Sequence, residues 1–362
     1  MSSTTALVRV DVAPVALDAM GGDHGIGPNV EGAIRAVRED GAQVILVGDE
    51  AVIEQELKRL GAASMIGSGL AIRHAPDVIE MDEKPAQAVR RKKGSSMRVA
   101  CELVKADEAC GAVSAGNSGA MMAVGLFVFG RIKGVLRPCI AAAFPSRARS
   151  GFSVLVDAGA NIDCTPEHLF QFGVMGAVYM EHAYGNRPPV VGVLANGTED
   201  SKGNDLTREA LRLVRESDLQ CVGFCEGNQV MLGDIDVVIT DGFSGNIMLK
   251  TGEGVARFVM ENLRAGFENG SPLVKLAGLV SKKMFRGLRK TLDHREFGAA
   301  PLLGLGAPAF IAHGSSDAYA IRKAIGAVRR HAQNDITQQI GQEIQRWKNL
   351  TQPPGDGDSV AS

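Results

Sequence analysis

The segment Val237–Gly254 constrains the fold of this chain more than any other part of the sequence. A run of β-branched residues, Val237–Ile239, leads into the polar stretch Asp241–Asn246, and an apolar, helix-like stretch follows with Lys250 and Glu253 in its opening turns. A strand that passes through a Gly-rich turn into a helix directs several backbone N–H groups toward one place, where they can bind an anion. The segment therefore predicts an α/β fold with an anion site at the end of a strand.

A second segment repeats this pattern. The apolar residues Ala112–Ala115 precede Gly116–Ala120, so a predicted strand again leads into a G-x-S-G turn. Other Gly-bearing turns follow predicted strands at Gly21, Gly159 and Gly203. Because open α/β sheets bind ligands outside the carboxyl ends of their strands, we expect these turns to share one cleft. The two G-x-S-G copies indicate an internal duplication around it.

Predicted strands and helices alternate along the chain. This order favours a mostly parallel sheet covered by helices on both faces. With 362 residues and 45% apolar content, the chain can bury a large core. We expect one α/β catalytic domain over residues 12–345, or two intertwined subdomains within it, and a disordered tail at 350–362. The predicted strands include residues 14–18, 43–48, 153–157 and 189–194.

Composition argues against several classes of protein. A net charge of −2 provides no basic field that would attract nucleic acid. The six cysteines form no C-x-x-C pair, and the seven histidines show no metal-binding spacing. Residues 1–11 lack the apolar core of a signal peptide, and no apolar run approaches the length of a membrane span. We therefore expect a cytoplasmic protein that binds no nucleic acid and holds neither a metal ion nor a cofactor.

The serines of the two G-x-S-G turns resemble nucleophiles only superficially. A hydrolase nucleophile elbow requires Gly two residues after the serine, but Ala120 follows Ser118 there and Asn246 follows Ser244. We therefore expect both serines to donate hydrogen bonds to an anion.

Three further side chains are candidates for the same cleft. Lys202 and Lys250 are single cations beside Gly-bearing loops, where they are either ordinary surface lysines or partners of a phosphate. Among the histidines, His313 is the one most suited to face the cleft.

Residues 273–290 have the pattern of a basic amphipathic helix. Apolar residues recur there at spacings of three and four, and six cations occur without an acid between them. Such a helix suits an anionic membrane surface, and the same pattern fits a helix at a subunit contact. We expect the helical segment 271–292 to face the membrane through Leu276, Val280, Met284 and Leu288.

The chain resembles the PlsX-type phosphate acyltransferases in a set of motifs that occur in the expected order. The resemblance implies transfer of a fatty acyl group from acyl-[acyl carrier protein] to inorganic phosphate, which gives acyl-phosphate for bacterial phospholipid synthesis. It also implies a three-layer α/β/α fold with a large mixed, mostly parallel sheet, similar to phosphotransacetylase and the isocitrate/isopropylmalate dehydrogenases. The motifs are D-A-M-G-G-D (18–23), K-P-x-x-A-x-R-x-K-K-x-S-S (84–96), S-A-G-N-S-G-A (114–120), D-A-G-A-N (157–161), K-G-N (202–204), D-G-F-S-G-N (241–246), K-T-x-E-G (250–254), P-L-L-G-L (301–305) and H-G-S-S (313–316).

On this resemblance we expect Lys202, Asn246 and Lys250 to be catalytic. The expected partners are acyl carrier protein, inorganic phosphate, a second copy in a homodimer, the inner face of an anionic membrane and a downstream membrane glycerol-3-phosphate acyltransferase. The residues expected to bind phosphate or the acyl group are Asp18, Gly21, Gly22, Asn117, Ser118, Gly119, Asn161, Asn204, Asp241, Ser244, Gly245 and His313.

The residue types fit this chemistry. Phosphate is already anionic near neutral pH, and a leaving thiolate with a pKa of about 8.5 needs little protonation. The reaction needs positioning, neutralisation of phosphate charge and donors to the developing oxyanion. Three alternatives stay open at this point: a phosphotransacetylase-like enzyme that uses a coenzyme A thioester, a non-catalytic carrier or membrane scaffold, and a hydride-transferring dehydrogenase.

Overall fold

The computed structural model describes residues 12–185, 188–274, 287 and 293–351. The predicted membrane-facing residues Leu276, Val280, Met284 and Leu288 lie outside the described residues, as does most of the predicted tail, from 352 onward. The chain divides into two compact units. Unit 1 comprises Met1–Gly130 and Ala307–Asp335, and unit 2 comprises Arg131–Gly306 and Ile336–Ser362.

Unit 1 contains five parallel strands in the order β3-β2-β1-β4-β11. Four of these strands are buried along their whole length, which explains their continuous apolar sequences. The strands are β1 (Val15–Asp18), β2 (Val44–Gly48), β3 (Leu70–His74), β4 (Gly111–Ser114) and β11 (Ala309–Ala312). The helices are α1 (Ile26–Asp40), α2 (Glu50–Arg59), α3 (Pro85–Arg91), α4 (Ser96–Lys105), α5 (Ser118–Phe129) and α10 (Ala318–Gln333), with a 3₁₀ helix at Ala63–Met65.

Unit 2 contains six strands in the order β10-β5-β6-β9-β7-β8. β5 runs antiparallel to both of its neighbours, whereas β6, β9, β7 and β8 are parallel. The strands are β5 (Cys139–Pro145), β6 (Phe152–Val156), β7 (Val190–Leu194), β8 (Gln220–Cys225), β9 (Val237–Ile239) and β10 (Ala299–Leu303). The helices are α6 (Pro166–Tyr184), α7 (Asp205–Glu216), α8 (Gly227–Leu232), α9 (Gly242–Glu268), α11 (Ile336–Arg346) and α12 (Lys348–Thr351), with a 3₁₀ helix at His294–Glu296.

The core of unit 2 is built around α6. The middle of this helix, residues 169–180, is buried and apolar except for Gln171, and it buries Phe170 and Phe172 completely. A helix that is apolar on all sides has to be covered on all sides, and here α7, α11 and β9 pack around it. No helix within the described residues combines the length and the apolar character needed to span a membrane.

The predicted α/β class and the mixed, mostly parallel arrangement of strands are confirmed. Buried runs such as Val44–Gly48 and Phe152–Val156 are the strands that the sequence pattern indicated. The predicted catalytic domain over residues 12–345 stays a prediction.

Two helices begin earlier than the sequence pattern indicated. α5 begins at Ser118 and α9 begins at Gly242, so the residues expected to form open turns make the first helical turns instead. The reason is capping. Asn117 Oδ1 accepts the Ala120 N–H at 3.0 Å, and Asp241 Oδ1 accepts the Ser244 N–H at 2.8 Å.

Candidate functional site

The carboxyl ends of β1, β4 and β11 come together in unit 1. The loops that follow them, residues 18–23, 114–119 and 313–316, form what we call the unit 1 turn cluster. The Asp23 N–H donates to the Gly314 carbonyl at 2.8 Å. A Cβ atom on Gly21 would lie 2.8 Å from the Gly116 nitrogen. The fold therefore brings together the residues that the sequence predicted in this part of the chain, which are Asp18, Gly21, Gly22, Asn117, Ser118, Gly119 and His313.

Asp18 is a buried residue that holds this cluster together through hydrogen bonds. It is buried, with 2% of its surface exposed, and it accepts hydrogen bonds from the Met20 N–H at 3.1 Å and from Ser114 Oγ at 2.6 Å. Ser114 Oγ in turn accepts the Gly116 N–H at 3.0 Å. Burial raises the pKa of Asp18, while hydrogen bonds from Ser114 and Ser96 act in the opposite direction. Asp18 therefore fixes the turn rather than facing a ligand.

The N-terminus of α5 offers free donors. The Asn117 amide is occupied by the protein, because Nδ2 donates to the carbonyls of Met81 and Glu83 at 2.9 and 3.0 Å. Ser118 and Gly119 are exposed. Within the described part of the chain, neither their N–H groups nor Ser118 Oγ has a hydrogen-bond partner. These groups, at the positive end of a helix, are suited to bind an anionic oxygen.

His313 lies at the end of β11 and is exposed. Its Nδ1 accepts the Ser315 N–H at 3.2 Å and lies 2.8 Å from Ser315 Oγ. Because Nδ1 accepts that N–H, the neutral ring carries its proton on Nε2.

Unit 2 contains a matching arrangement at the ends of β6, β7 and β9. We call residues 157–161, 195–204 and 240–246 the unit 2 turn cluster. The Gly242 N–H donates to the Asn161 carbonyl at 2.7 Å, and a Cβ atom on Gly245 would collide with the Asp157 carbonyl. The loop after β7 lies at the same edge because β7 pairs in parallel with β9. The shared cleft predicted from the sequence stays a prediction.

Asp157 is a functional candidate that sequence reasoning missed. This fully buried carboxylate accepts five hydrogen bonds. Oδ1 accepts the N–H groups of Ile140, Gly159 and Ala160 at 2.9, 3.3 and 3.1 Å. Oδ2 accepts Asn161 N–H at 2.6 Å and Asn161 Nδ2–H at 2.9 Å. Burial raises the pKa of Asp157, and the donors oppose that effect. The available signal was its position after a buried strand, as at Asp18.

Asn161 completes this support. Its Nδ2 also donates to the Pro138 carbonyl at 2.8 Å, and the residue is 7% exposed. We predicted that Asn161 binds a ligand, but its side-chain amide donates to Asp157 and to the Pro138 carbonyl instead. Asn161 therefore positions the loop.

The first turns of α9 carry the polar groups that remain available. Asp241 caps the helix, whereas Asn246 is exposed beside Gly159. Among the described residues, neither Ser244 Oγ, the Asn246 side chain nor the Phe243 N–H has a hydrogen-bond partner. These three groups can donate to an anion.

The two predicted lysines differ in their surroundings. Lys202 is half-buried, its stem packs where a Gly197 Cβ would stand, and its Nζ has no ion-pair partner in the described part of the chain. Lys250 is exposed, and its Nζ lies 2.8 Å from Glu253 Oε2. Asn204 caps α7 by accepting the Thr207 N–H at 2.9 Å. Lys202 is thus the better placed of the two lysines to neutralise an anion.

The two clusters define an α/β protein with helix N-termini at the ends of its strands. Each offers backbone N–H groups and uncharged polar side chains, and the unit 2 cluster adds Lys202, which has no ion-pair partner among the described residues. Among the described residues, no three His, Cys, Asp or Glu side chains are grouped to hold a metal ion. Such a site is suited to hold an anion in place and to stabilise developing negative charge.

Comparison with known proteins agrees with this reading. Residues 13–339 match the model of the family described as fatty acid synthesis protein. A phosphate acyltransferase from an Anaeromyxobacter species is 47% identical over 333 residues, which cover 92% of this chain and 91% of that protein. A phosphate acyltransferase from Trichlorobacter lovleyi is 44% identical over 330 residues, which cover 91% of this chain and 94% of that protein. The chain belongs to this family, and the resemblance to the PlsX-type phosphate acyltransferases is confirmed.

Solved structures support the fold alone. A phosphotransacetylase from Streptococcus pyogenes matches with a TM-score of 0.56 at 18% identity, covering 92% of this chain and 94% of its own. A phosphotransacetylase from Staphylococcus aureus matches with a TM-score of 0.54 at 15% identity, and the match covers 89% of this chain and 94% of that protein. The predicted similarity to the phosphotransacetylase fold is therefore confirmed.

Proposed function

We propose that this phosphate acyltransferase takes its acyl group from acyl-[acyl carrier protein], transfers it to inorganic phosphate and releases the free carrier protein. The acyl-phosphate product supplies phospholipid synthesis. The observation that carries the proposal is the unit 2 turn cluster, where Lys202 has no ion-pair partner among the described residues and lies at the same sheet edge as the free donors of α9. One cation together with several neutral donors is a combination suited to bind a phosphate ion.

The reaction follows from these groups without a strong base. A phosphate oxygen attacks the thioester carbonyl, a C–O bond forms and the carbonyl oxygen becomes an oxyanion. The oxyanion then collapses, the C–S bond breaks and the electron pair leaves with the sulfur as a thiolate. Lys202, Ser244 and Asn246 bind the phosphate, and the Phe243 N–H at the start of α9 donates to a substrate oxygen. Most of the catalysis is therefore positioning and charge stabilisation.

The donor is tested by comparing two thioesters in one assay. Purified protein is given inorganic phosphate with either acyl-[acyl carrier protein] or acyl-coenzyme A of the same chain length, and acyl-phosphate is measured as its hydroxamate. We expect acyl-[acyl carrier protein] to give the higher kcat/KM. Product from acyl-coenzyme A alone would contradict the proposal and favour the phosphotransacetylase-like alternative.

We propose further that the chain forms a homodimer through α9. Although this helix runs from Gly242 to Glu268, its only buried residues are two glycines near its start. Five large apolar side chains of this helix are 43–67% exposed: Phe243, Ile247, Val255, Phe258 and Val259. A second copy of the same helix would cover these side chains.

The dimer is tested in solution. We expect analytical ultracentrifugation to give twice the chain mass, and Phe258→Glu to shift the protein toward monomer because it places a charge among these apolar side chains. A wild-type monomer at micromolar concentration would contradict the proposal.

The proposed location is the inner face of the membrane, reached through segment 271–292. Of its apolar residues, Leu273 and Val274 are described, and they are 80% and 39% exposed. Cations beside an anionic surface contribute about 1 kcal/mol each, so binding of this kind is reversible and sensitive to salt. Acyl-phosphate would then pass to a membrane glycerol-3-phosphate acyltransferase.

A further inference from the structure

The segment Lys84–Arg98 is the most basic stretch that the catalytic proposal leaves unexplained. It contains six cations and no acid: Lys84, Arg90, Arg91, Lys92, Lys93 and Arg98. Lys92 pairs with Glu83, and Arg98 Nε lies 2.8 Å from Glu102 Oε1. The other four are exposed and have no ion-pair partner within the described residues. We call these four cations the basic face.

The basic face belongs to a part of unit 1 that is packed against the rest of the unit. Ala88 and Val89 are buried beneath it, and α3 packs against α5. At the end of the same segment, the Arg98 guanidinium carbon lies 4.8 Å from the centre of the Phe127 ring of α5, and α5 exposes Leu126 at 38% and Phe127 at 63%. The surface therefore combines unpaired cations with exposed apolar groups, which is the composition of a binding surface for a partner that is acidic and partly apolar.

Both ends of the basic segment contact the unit 1 turn cluster. At one end, a Cβ atom on Gly119 would lie 2.9 Å from Pro85 Cγ, and Asn117 Nδ2 donates to the Glu83 carbonyl at 3.0 Å. At the other end, Ser96 forms a hydrogen bond with Asp18. The basic face therefore begins directly beside the free N–H groups of Ser118 and Gly119.

We propose that the basic face is the docking surface for the acidic carrier protein that delivers the acyl thioester. The inference rests on the proposed function, since only a carrier-bound donor requires such a surface. These four exposed cations lie within ten residues of the chain and have no ion-pair partner among the described residues, so their positive charge increases the rate of encounter with an acidic partner. A thioester arm attached to a partner docked here would start beside the α5 N-terminus.

The surface fits an acidic carrier protein better than a membrane. A lipid-binding helix has a continuous apolar face, whereas α3 has only seven residues and its apolar residues Ala88 and Val89 are buried. Leu126 and Phe127 provide a small apolar area, which suits contact with one helix of a protein.

The test reverses charge on this surface and on a matched control. Arg90→Glu/Arg91→Glu alters the basic face, and Arg38→Glu/Lys105→Glu reverses two exposed cations elsewhere in unit 1, at the ends of α1 and α4. We expect the first variant to raise the KM for acyl-[acyl carrier protein] and the Kd for the carrier at least tenfold, with the KM for phosphate within twofold of wild type. The control should leave all three values unchanged. Lys84→Glu/Lys93→Glu provides a second test of the surface if the first variant melts early.

The outcomes separate the two proposals. Wild-type protein that makes no acyl-phosphate from acyl-[acyl carrier protein] contradicts the proposed function. Active wild-type protein with an unchanged carrier KM in both basic-face variants overturns the docking surface alone. Loss of binding to phosphatidylglycerol vesicles, with the carrier KM unchanged, would also overturn it and would assign the face to the membrane.

Discussion

Lys202→Met is expected to lower kcat/KM for phosphate by about 30- to 1,000-fold, which corresponds to about 2–4 kcal/mol of lost transition-state stabilisation. Met retains most of the apolar stem that packs against Gly197, so the loop keeps its packing. What is lost is the charge on Nζ, which has no ion-pair partner among the described residues and is free to meet a phosphate. Steady-state kinetics at varied phosphate concentration measure the effect.

Lys250→Met is the comparison for that result. Lys250 is exposed and its Nζ already lies 2.8 Å from Glu253 Oε2, so part of its charge is neutralised. We expect a loss of less than tenfold, because an exposed ion pair contributes little on its own. Wild-type kinetics in Lys202→Met, or a larger loss in Lys250→Met, would show that the phosphate cation has been assigned to the wrong side chain.

Asp157→Asn is expected to lower the free energy of unfolding by about 3 kcal/mol and to reduce kcat together with it. An amide offers one acceptor oxygen where the carboxylate offers two, and its NH₂ group would face N–H donors on one side. Either orientation of the amide leaves buried donors unpaired, because both oxygens of Asp157 accept hydrogen bonds. The loop would then lose the geometry that places Gly242 and the first turn of α9.

Asp163→Asn provides the matched control for this variant. Asp163 follows the same loop, is exposed and forms no hydrogen bond with the described residues, so the same chemical change should be neutral there. Urea unfolding gives the stability of each variant, and kinetics at saturating phosphate give kcat. If Asp157→Asn is as stable and as active as Asp163→Asn, then the five hydrogen bonds do not hold the site together.

The sequence indicated where polar turns follow the strands, because strand ends have strong local signals. A buried apolar strand followed by Gly and Asn or Asp marks Asp18, Gly116 and Gly242 without any knowledge of the tertiary structure. The roles of individual side chains were harder to predict. Asn117, Asn204 and Asp241 all prove to be helix caps, and that role depends on whether the next residues are helical.

Other features depend on contacts between residues distant in sequence. The antiparallel direction of β5 follows from its pairing with β6 and β10, which its own seven residues do not specify. The burial of Asp157 beneath five donors depends in part on Ile140, from the neighbouring strand. A local pattern therefore located the turns at the strand ends but could not rank the residues in them.

Unit 1 cannot close its sheet until β11 (Ala309–Ala312) has been synthesised. β4 lies between β1 and β11, and the ribosome must translate all of residues 131–306 before β11 appears. Until then β4 presents an unpaired edge, and α1 lacks α10, whose Arg322 pairs with Asp40 in the finished structure. Unit 2 cannot complete its core before α11 has been synthesised, because Ile340 and Ile344 of α11 lie in that core. A nascent chain that stops early therefore exposes open strand edges, which aggregate readily and invite proteolysis.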